Sequence, residues 1–181
     1  MKKIVCLIIF QILIIQGYAQ DHFPESWIGN YKGTLAIYTI DSVAVRVPMA
    51  LKIQPTAKDS IYNWTIIYTF KNGEKDVRSY QLLVVDNKKG MYKIDEKNSI
   101  VIDTFYLNDV VTSFFNVMDN FIIATYKKNK DADIIFEIIA AKSKEISSTG
   151  GQKTDNDSIP EVLSYSVNGR QKAILYKIPE N

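Results

Sequence analysis

Ile61-Tyr62-Asn63-Trp64-Thr65-Ile66-Ile67-Tyr68-Thr69-Phe70 is the stretch that decides the fold. Tyr62, Trp64, Ile66, Tyr68 and Phe70 recur at every second position, the period at which side chains share one face of a β-strand. The run is rich in β-branched and aromatic residues, which suit a pleated, half-buried surface. Lys71-Asn72-Gly73-Glu74 follows, and its Asn-Gly pair is a turn signal.

The same rhythm extends in both directions. Upstream, Val43, Val45, Val47, Met49, Leu51 and Ile53 alternate with a polar side holding Arg46, Pro48, Lys52 and Gln54. Pro48 lacks an amide proton, so an edge, bulge or bend is expected there. Earlier still, Trp27, Gly29, Tyr31, Gly33, Leu35 and Ile37 oppose Asn30, Lys32 and Thr34. Downstream, strands are expected over 78–85, 91–95, 99–107, 110–118, 120–127 and 132–142, joined by short Asn-, Asp-, Lys- and Gly-bearing connections. Tyr106 to Phe115 is the best candidate for a turn or two of helix. Ser147 to Pro160 has no apolar residue before Ile159 and reads as a long mobile loop. Glu161–Val167 and Gln171–Ile178 then read as a hairpin across Asn168-Gly169.

About ten short-linked strands, each with one bulky face, describe an all-β chain. A meander of this length must close or stack to remove its edges. The expected architecture is an antiparallel up-and-down barrel of about ten strands. The final hairpin would pair back onto the Trp27 strand. A two-sheet β-sandwich is the alternative. One domain spanning residues 20–181 suffices, because a terminal hairpin cannot stand alone.

Trp27-Ile28-Gly29-Asn30-Tyr31-Lys32-Gly33 resembles the opening strand of lipocalin-like barrels, the calycin group, with the tryptophan here ahead of the glycine rather than behind it. In that family a Trp and a Gly let the first strand bend and seal the barrel floor. The resemblance implies a barrel with a small-ligand cavity. The same opening is loosely similar to nitrobindin-type haem barrels, whose chemistry calls for an internal histidine that this chain lacks.

Residues 1–19 read as an export signal. Lys2 and Lys3 precede the apolar run Ile4 to Ile15, and Gly17-Tyr18-Ala19 offers small residues for cleavage before Gln20 or Asp21. A run of roughly a dozen residues is short of the ~20 that span a bilayer. The expectation is an exported bacterial protein, periplasmic or extracellular, with no transmembrane segment in its mature chain. Loss of Lys2 and Lys3 leaves equal numbers of basic and acidic residues. That balance, with arginine only at positions 46, 78 and 170, argues against a nucleic-acid partner.

The one cysteine, Cys6, lies in the leader, and the one histidine, His22, lies beside the new N-terminus. Disulfides, thiolate metal sites, a cysteine nucleophile and a histidine-based triad are therefore not expected. Ser113, Ser164 and Ser166 have no base to activate them. Asp95, Glu96 and Asp103 are acidic, but the first two sit at a turn. No catalytic residue, metal or cofactor is expected.

The candidate ligand-binding set is Trp27, Tyr31, Tyr62, Trp64 and Tyr68, with Arg78, Tyr80 and Glu137. The aromatics share inward faces and could line a cavity. Glu137 lies in Asp133-Ile134-Ile135-Phe136-Glu137-Ile138-Ile139-Ala140, where both faces are otherwise apolar. A buried carboxylate there needs a partner, and Arg78 is the candidate, the two together anchoring a polar ligand head. The expected function is binding of a small apolar or amphipathic molecule inside the barrel. The alternative is a non-catalytic interaction or structural module with a filled barrel. Oligomeric state is not legible. Separately, Asp41-Ser42-Val43, Asp59-Ser60-Ile61 and Asp157-Ser158-Ile159 resemble the acceptor pattern of a general O-glycosylation system of some exported bacterial proteins.

Overall fold

The computed structural model describes residues 22–153 and 157–179; residues 1–19, read above as an export signal, lie outside them. Ten strands run antiparallel in sequence order and close on themselves. They are β1 (Gly29–Tyr38), β2 (Val43–Pro55), β3 (Ile61–Thr69), β4 (Lys75–Asp86), β5 (Met91–Asp95), β6 (Val101–Leu107), β7 (Val110–Val117), β8 (Asn120–Lys128), β9 (Ile134–Thr149) and β10 (Val162–Ile178). The result is the up-and-down barrel, not the sandwich. Among the described residues no helix is long and apolar enough to cross a membrane.

Alternation places the bulky side of each strand inside. Trp64, Leu51, Ile53, Leu82, Ile134, Phe136 and Leu175 are all at most 1% exposed. Lys32, Arg46 and Lys52 face outward and are exposed. Pro48 lies within β2, directly opposite Thr34, with no shift of register there; the irregularity falls instead between Ile37 and Tyr38. Phe70 leaves the inward face with the end of β3 and is 48% exposed.

Three expectations about the connections are corrected. Tyr106 to Phe115 holds no helix: β6 turns into β7 through Asn108-Asp109, both at positive φ. That is the backbone a tight hairpin of the right twist requires. Ser147–Thr149 belong to β9, which projects with the start of β10 beyond the barrel wall. Both faces of that ribbon meet water, so no alternation marks it as strand. Asn168-Gly169 is not a turn: β10 runs unbroken through it, with shifted register against β9 at Val167/Gly169. The dipeptide lies where β10 passes from the projecting ribbon to the barrel wall, a place suited to a bulge.

The continuity of β10 settles how the barrel closes. An extra hairpin would bring the last strand back parallel to the first. A single last strand meets β1 antiparallel, from Asn30↔Ile178 to Tyr38↔Arg170. Gly33 allows the close approach at this seam, because a Cβ there would sit 2.0 Å from the Ile174 carbonyl oxygen. Gly33→Ala should therefore cost about 2 kcal/mol or more by chemical denaturation, whereas Lys32→Ala on the outer face should stay within about 0.5 kcal/mol.

Candidate functional site: an interior chamber at the open end

The two ends of the barrel differ. At the end where β1 begins, residues 22–28 cross beneath the strands and plug the floor. A single 3-10 turn, Glu25–Trp27, carries Trp27 inward. The Phe23 ring stacks on Tyr106 at 4.6 Å and meets Trp27 and Tyr92 edge-on at 5.0 and 4.9 Å.

Polar groups of this plug are tied to the wall. The Tyr31 hydroxyl donates to the Trp27 carbonyl at 2.7 Å, and Lys128 Nζ donates to the Ser26 carbonyl at 2.7 Å. The Tyr62 hydroxyl donates to the Glu25 carboxylate at 2.5 Å. The single Tyr92 hydroxyl proton is shared between the Asn87 side-chain oxygen and the Phe23 carbonyl. Such bonds remove the cost of burying phenol hydroxyls.

Above this plug the middle of the barrel is packed by Trp64, Tyr126 and Phe136. Tyr126 lies 5.1 Å from Trp64 and 4.7 Å from Phe136, ring to ring. Thr104 and Ser113, the only buried polar side chains among the described residues, bond each other at 2.7 Å. The Ser113 hydroxyl is therefore taken up by Thr104.

Toward the opposite end the filling stops. A chamber of about 130 Å³ lies between the inward faces of β3 through β9. Ile66, Ile94, Ile102, Phe115, Ile122 and Ile138 form its apolar wall, and Tyr68, Tyr80, Arg78 and Glu96 form its polar rim. Ile102, Phe115, Ile122 and Ile138 point inward yet are only half-buried. The strands are long enough to surround this space, and among the described residues no loop other than the one that carries Glu96 lines it.

The rim is electrostatically organised. The Arg78 guanidinium lies 5.0 Å above the Tyr68 ring and is held by Asp76 at 3.1 Å. Burial, then the neighbouring Glu96 carboxylate, raises the Tyr80 hydroxyl above the ordinary tyrosine value. Burial also raises Tyr68, against the opposing pull of Arg78. Tyr126 below is pushed up chiefly by burial. All three phenols are thus kept protonated at neutral pH and above.

The expected residues divide into three groups. Trp64, Tyr68, Arg78 and Tyr80 line the chamber. Trp27, Tyr31 and Tyr62 belong to the floor. Glu137 lies on the outer face of β9, where Arg170 binds it at 2.8 Å. The anticipated Arg78–Glu137 pair is therefore not formed. Glu137 alternates with Phe136 and Ile138, which take the inside, and a neighbouring strand supplies its cation.

Sequence reasoning missed Glu96, Tyr126, Phe115 and Phe136. Their parity was available: Tyr92, Ile94 and Glu96 share a face, as do Ile122, Ala124 and Tyr126. The acidic trio is dispersed, with Asp95 capping the turn at Lys97 and Asp103 paired outward with Lys93. No group of His, Cys, Asp or Glu able to hold a metal is found among the described residues. No protein-family model matches the chain, and no curated protein is significantly similar to it.

The floor has a pH signature. Tyr31, Tyr92 and Tyr106 are each pushed from the ordinary 10.0 up to about 12, foremost by burial. The unfolded chain releases these protons at lower pH than the folded one. Stability is therefore complete below pH 10 and lost as the pH climbs toward about 12. Urea midpoints should hold steady from neutrality to about pH 9 and then fall, with tyrosinate absorbance from the floor appearing only as the fold is lost.

Proposed function

We propose that this is an exported, lipocalin-like protein of the bacterial envelope that binds a small amphipathic molecule at the open end of its barrel and is not an enzyme. The observation that carries the reading is the half-buried apolar wall of the chamber beneath the Arg78 rim. Inward isoleucine and phenylalanine side chains left in partial contact with water are a standing hydrophobic driving force. An apolar group entering the chamber would release it.

Size narrows the ligand. Drug-sized molecules occupy pockets of roughly 300–1,000 Å³, whereas a dry cavity of about 150 Å³ holds one benzene. A chamber of about 130 Å³ accepts a single ring or a short branched chain. The remainder of the ligand would lie at the rim. There the Arg78 guanidinium, the Tyr68 and Tyr80 hydroxyls and the Glu96 carboxylate would orient a polar end. A carboxylate suits Arg78, whose planar fork fits that group, and would compete with Asp76 for it.

A panel of monocyclic aromatic acids and short fatty acids, each with its neutral amide, tests the proposal by thermal shift. Acids should raise the melting temperature more than amides. Arg78→Ala should weaken the acids about tenfold or more and leave the amides nearly unchanged. Ala124→Trp, which fills the chamber, should abolish both, and Glu137→Ala should do nothing. No shift with any member, together with a ligand-free mass for the protein as isolated, would refute the reading.

A second reading rests on the projecting β9–β10 ribbon. Ile146 and Val167 there are 67% and 66% exposed, and the Tyr165 ring meets Phe121 edge-on at 5.3 Å on the outside of the barrel. These residues favour an interaction module that docks through its ribbon. In that case removal of the ribbon's apolar side chains would abolish partner capture from envelope extract while Ala124→Trp would spare it.

A further inference from the structure

We propose that Ser42, Ser60 and Ser158 are sites of O-linked glycosylation. The inference rests on the export part of the reading above and is independent of ligand binding. Each serine lies in an Asp-Ser-aliphatic triplet, and each is exposed. Two occupy the same structural position. Ser42 is the last residue before β2 opens at Val43, and Ser60 the last before β3 opens at Ile61. Ser158 lies in the connection between β9 and β10, one residue before Ile159, whose amide donates to the Gln152 carbonyl at 2.9 Å. All three triplets therefore present a hydroxyl on a loop that a modifying enzyme can reach.

The chain carries its own control. Asp103-Thr104-Phe105 is the one other place where an aspartate precedes a hydroxyl residue. There the next residue is aromatic rather than aliphatic, and Thr104 is fully buried in the barrel against Ser113. The aliphatic third residue and the accessible hydroxyl thus occur together three times and are absent together once.

The surroundings give the sugar a physical task. Ile40, two residues from Ser42, is 100% exposed, and Ile159, adjacent to Ser158, is 46% exposed. Apolar side chains bared at loop tips favour unwanted association, and a hydrophilic glycan beside them would cover both. Ser42 and Ser158 stand at the open end of the barrel and Ser60 at the floor end, so the sugars would leave the outer wall free.

The chemistry needs a transferase and an activated donor, a glycan joined through its anomeric carbon to a lipid diphosphate. The serine Oγ forms a bond to that carbon. The bond from the carbon to the diphosphate oxygen breaks, and the diphosphate leaves with the electron pair. The hydroxyl proton passes to a base of the transferase. No oxidant or reductant takes part.

Intact mass and peptide fragmentation of the protein purified from its native host test this, with protein made in a heterologous cytoplasm as the bare reference. The expected result is a mass above the bare polypeptide by whole glycan increments, assigned to residues 42, 60 and 158, with Thr104 plain. Ser42→Ala, Ser60→Ala and Ser158→Ala should each remove one increment. Asp41→Ala, Asp59→Ala and Asp157→Ala should each do the same at the neighbouring serine, and Ser→Thr should retain it. A bare mass, or sugar confined to other residues, overturns the proposal. The N-terminus of the same sample separates the two failures: a bare chain lacking residues 1–19 leaves export standing, and one that keeps them takes both readings down.

Discussion

The pairing of β1 with β10 is the constraint on which the rest of the barrel depends. Ten strands joined in sequence order leave two edges unless the first meets the last, and an open edge is a row of unpaired backbone groups. Each ladder bond contributes only about 1 kcal/mol net, but a buried group left unpaired costs about 1–3 kcal/mol. The seam matters less for the bonds it adds than for the exposed backbone it removes. Gly33 is its narrowest point. The backbone oxygen of Ile174 occupies the space a Cβ would need, so β1 can lie against β10 only with glycine there.

Closure then determines where interior space is left. A barrel of this size encloses more volume than its strands' own side chains fill, and the excess is treated differently at the two ends. At the floor, residues 22–28 bring Phe23 and Trp27 in beneath Tyr92 and Tyr106, and the phenols are satisfied by the Trp27 and Phe23 carbonyls and by the Asn87 and Asp109 side chains. At the other end no segment among the described residues performs that role. The inward residues of β4 to β9 are instead left half-covered around Arg78, Tyr80 and Glu96. The asymmetry between a plugged end and an unplugged end makes one place in the molecule a candidate binding site.

How much of this is legible in the sequence depends on whether a residue has two different faces to choose between. Tyr62, Trp64, Ile66 and Tyr68 alternate with Asn63, Thr65 and Ile67 because one side meets the core and the other water, and their burial follows that period. Where both sides are wet, as in the ribbon at Ser147–Thr149, period two carries no signal. Where both sides are apolar, as around Glu137, the period exists but its phase is ambiguous, and a single carboxylate could be assigned to either face. Its true partner, Arg170, lies diagonally across from it on β10, where Lys172 is directly opposite, a long-range relation. The Asn168-Gly169 pair shows a different failure. It has the local chemistry of a turn, but the tertiary demand for an antiparallel closing strand overrides it. The chamber itself was half legible: its aromatics and Arg78 follow from alternation, but its location follows from what the N-terminal segment plugs and what nothing plugs.

Native-state hydrogen exchange of the seam amides tests the closed barrel most directly. A closed barrel requires Lys32, Thr34 and Ala36 in β1, and Lys172, Ile174 and Tyr176 in β10, whose amides face across the seam, to be protected as strongly as the amides between β2 and β3, exchanging only through global unfolding. Seam amides that exchange rapidly while β2 and β3 stay protected would mean an open sheet with two free edges, and would contradict it.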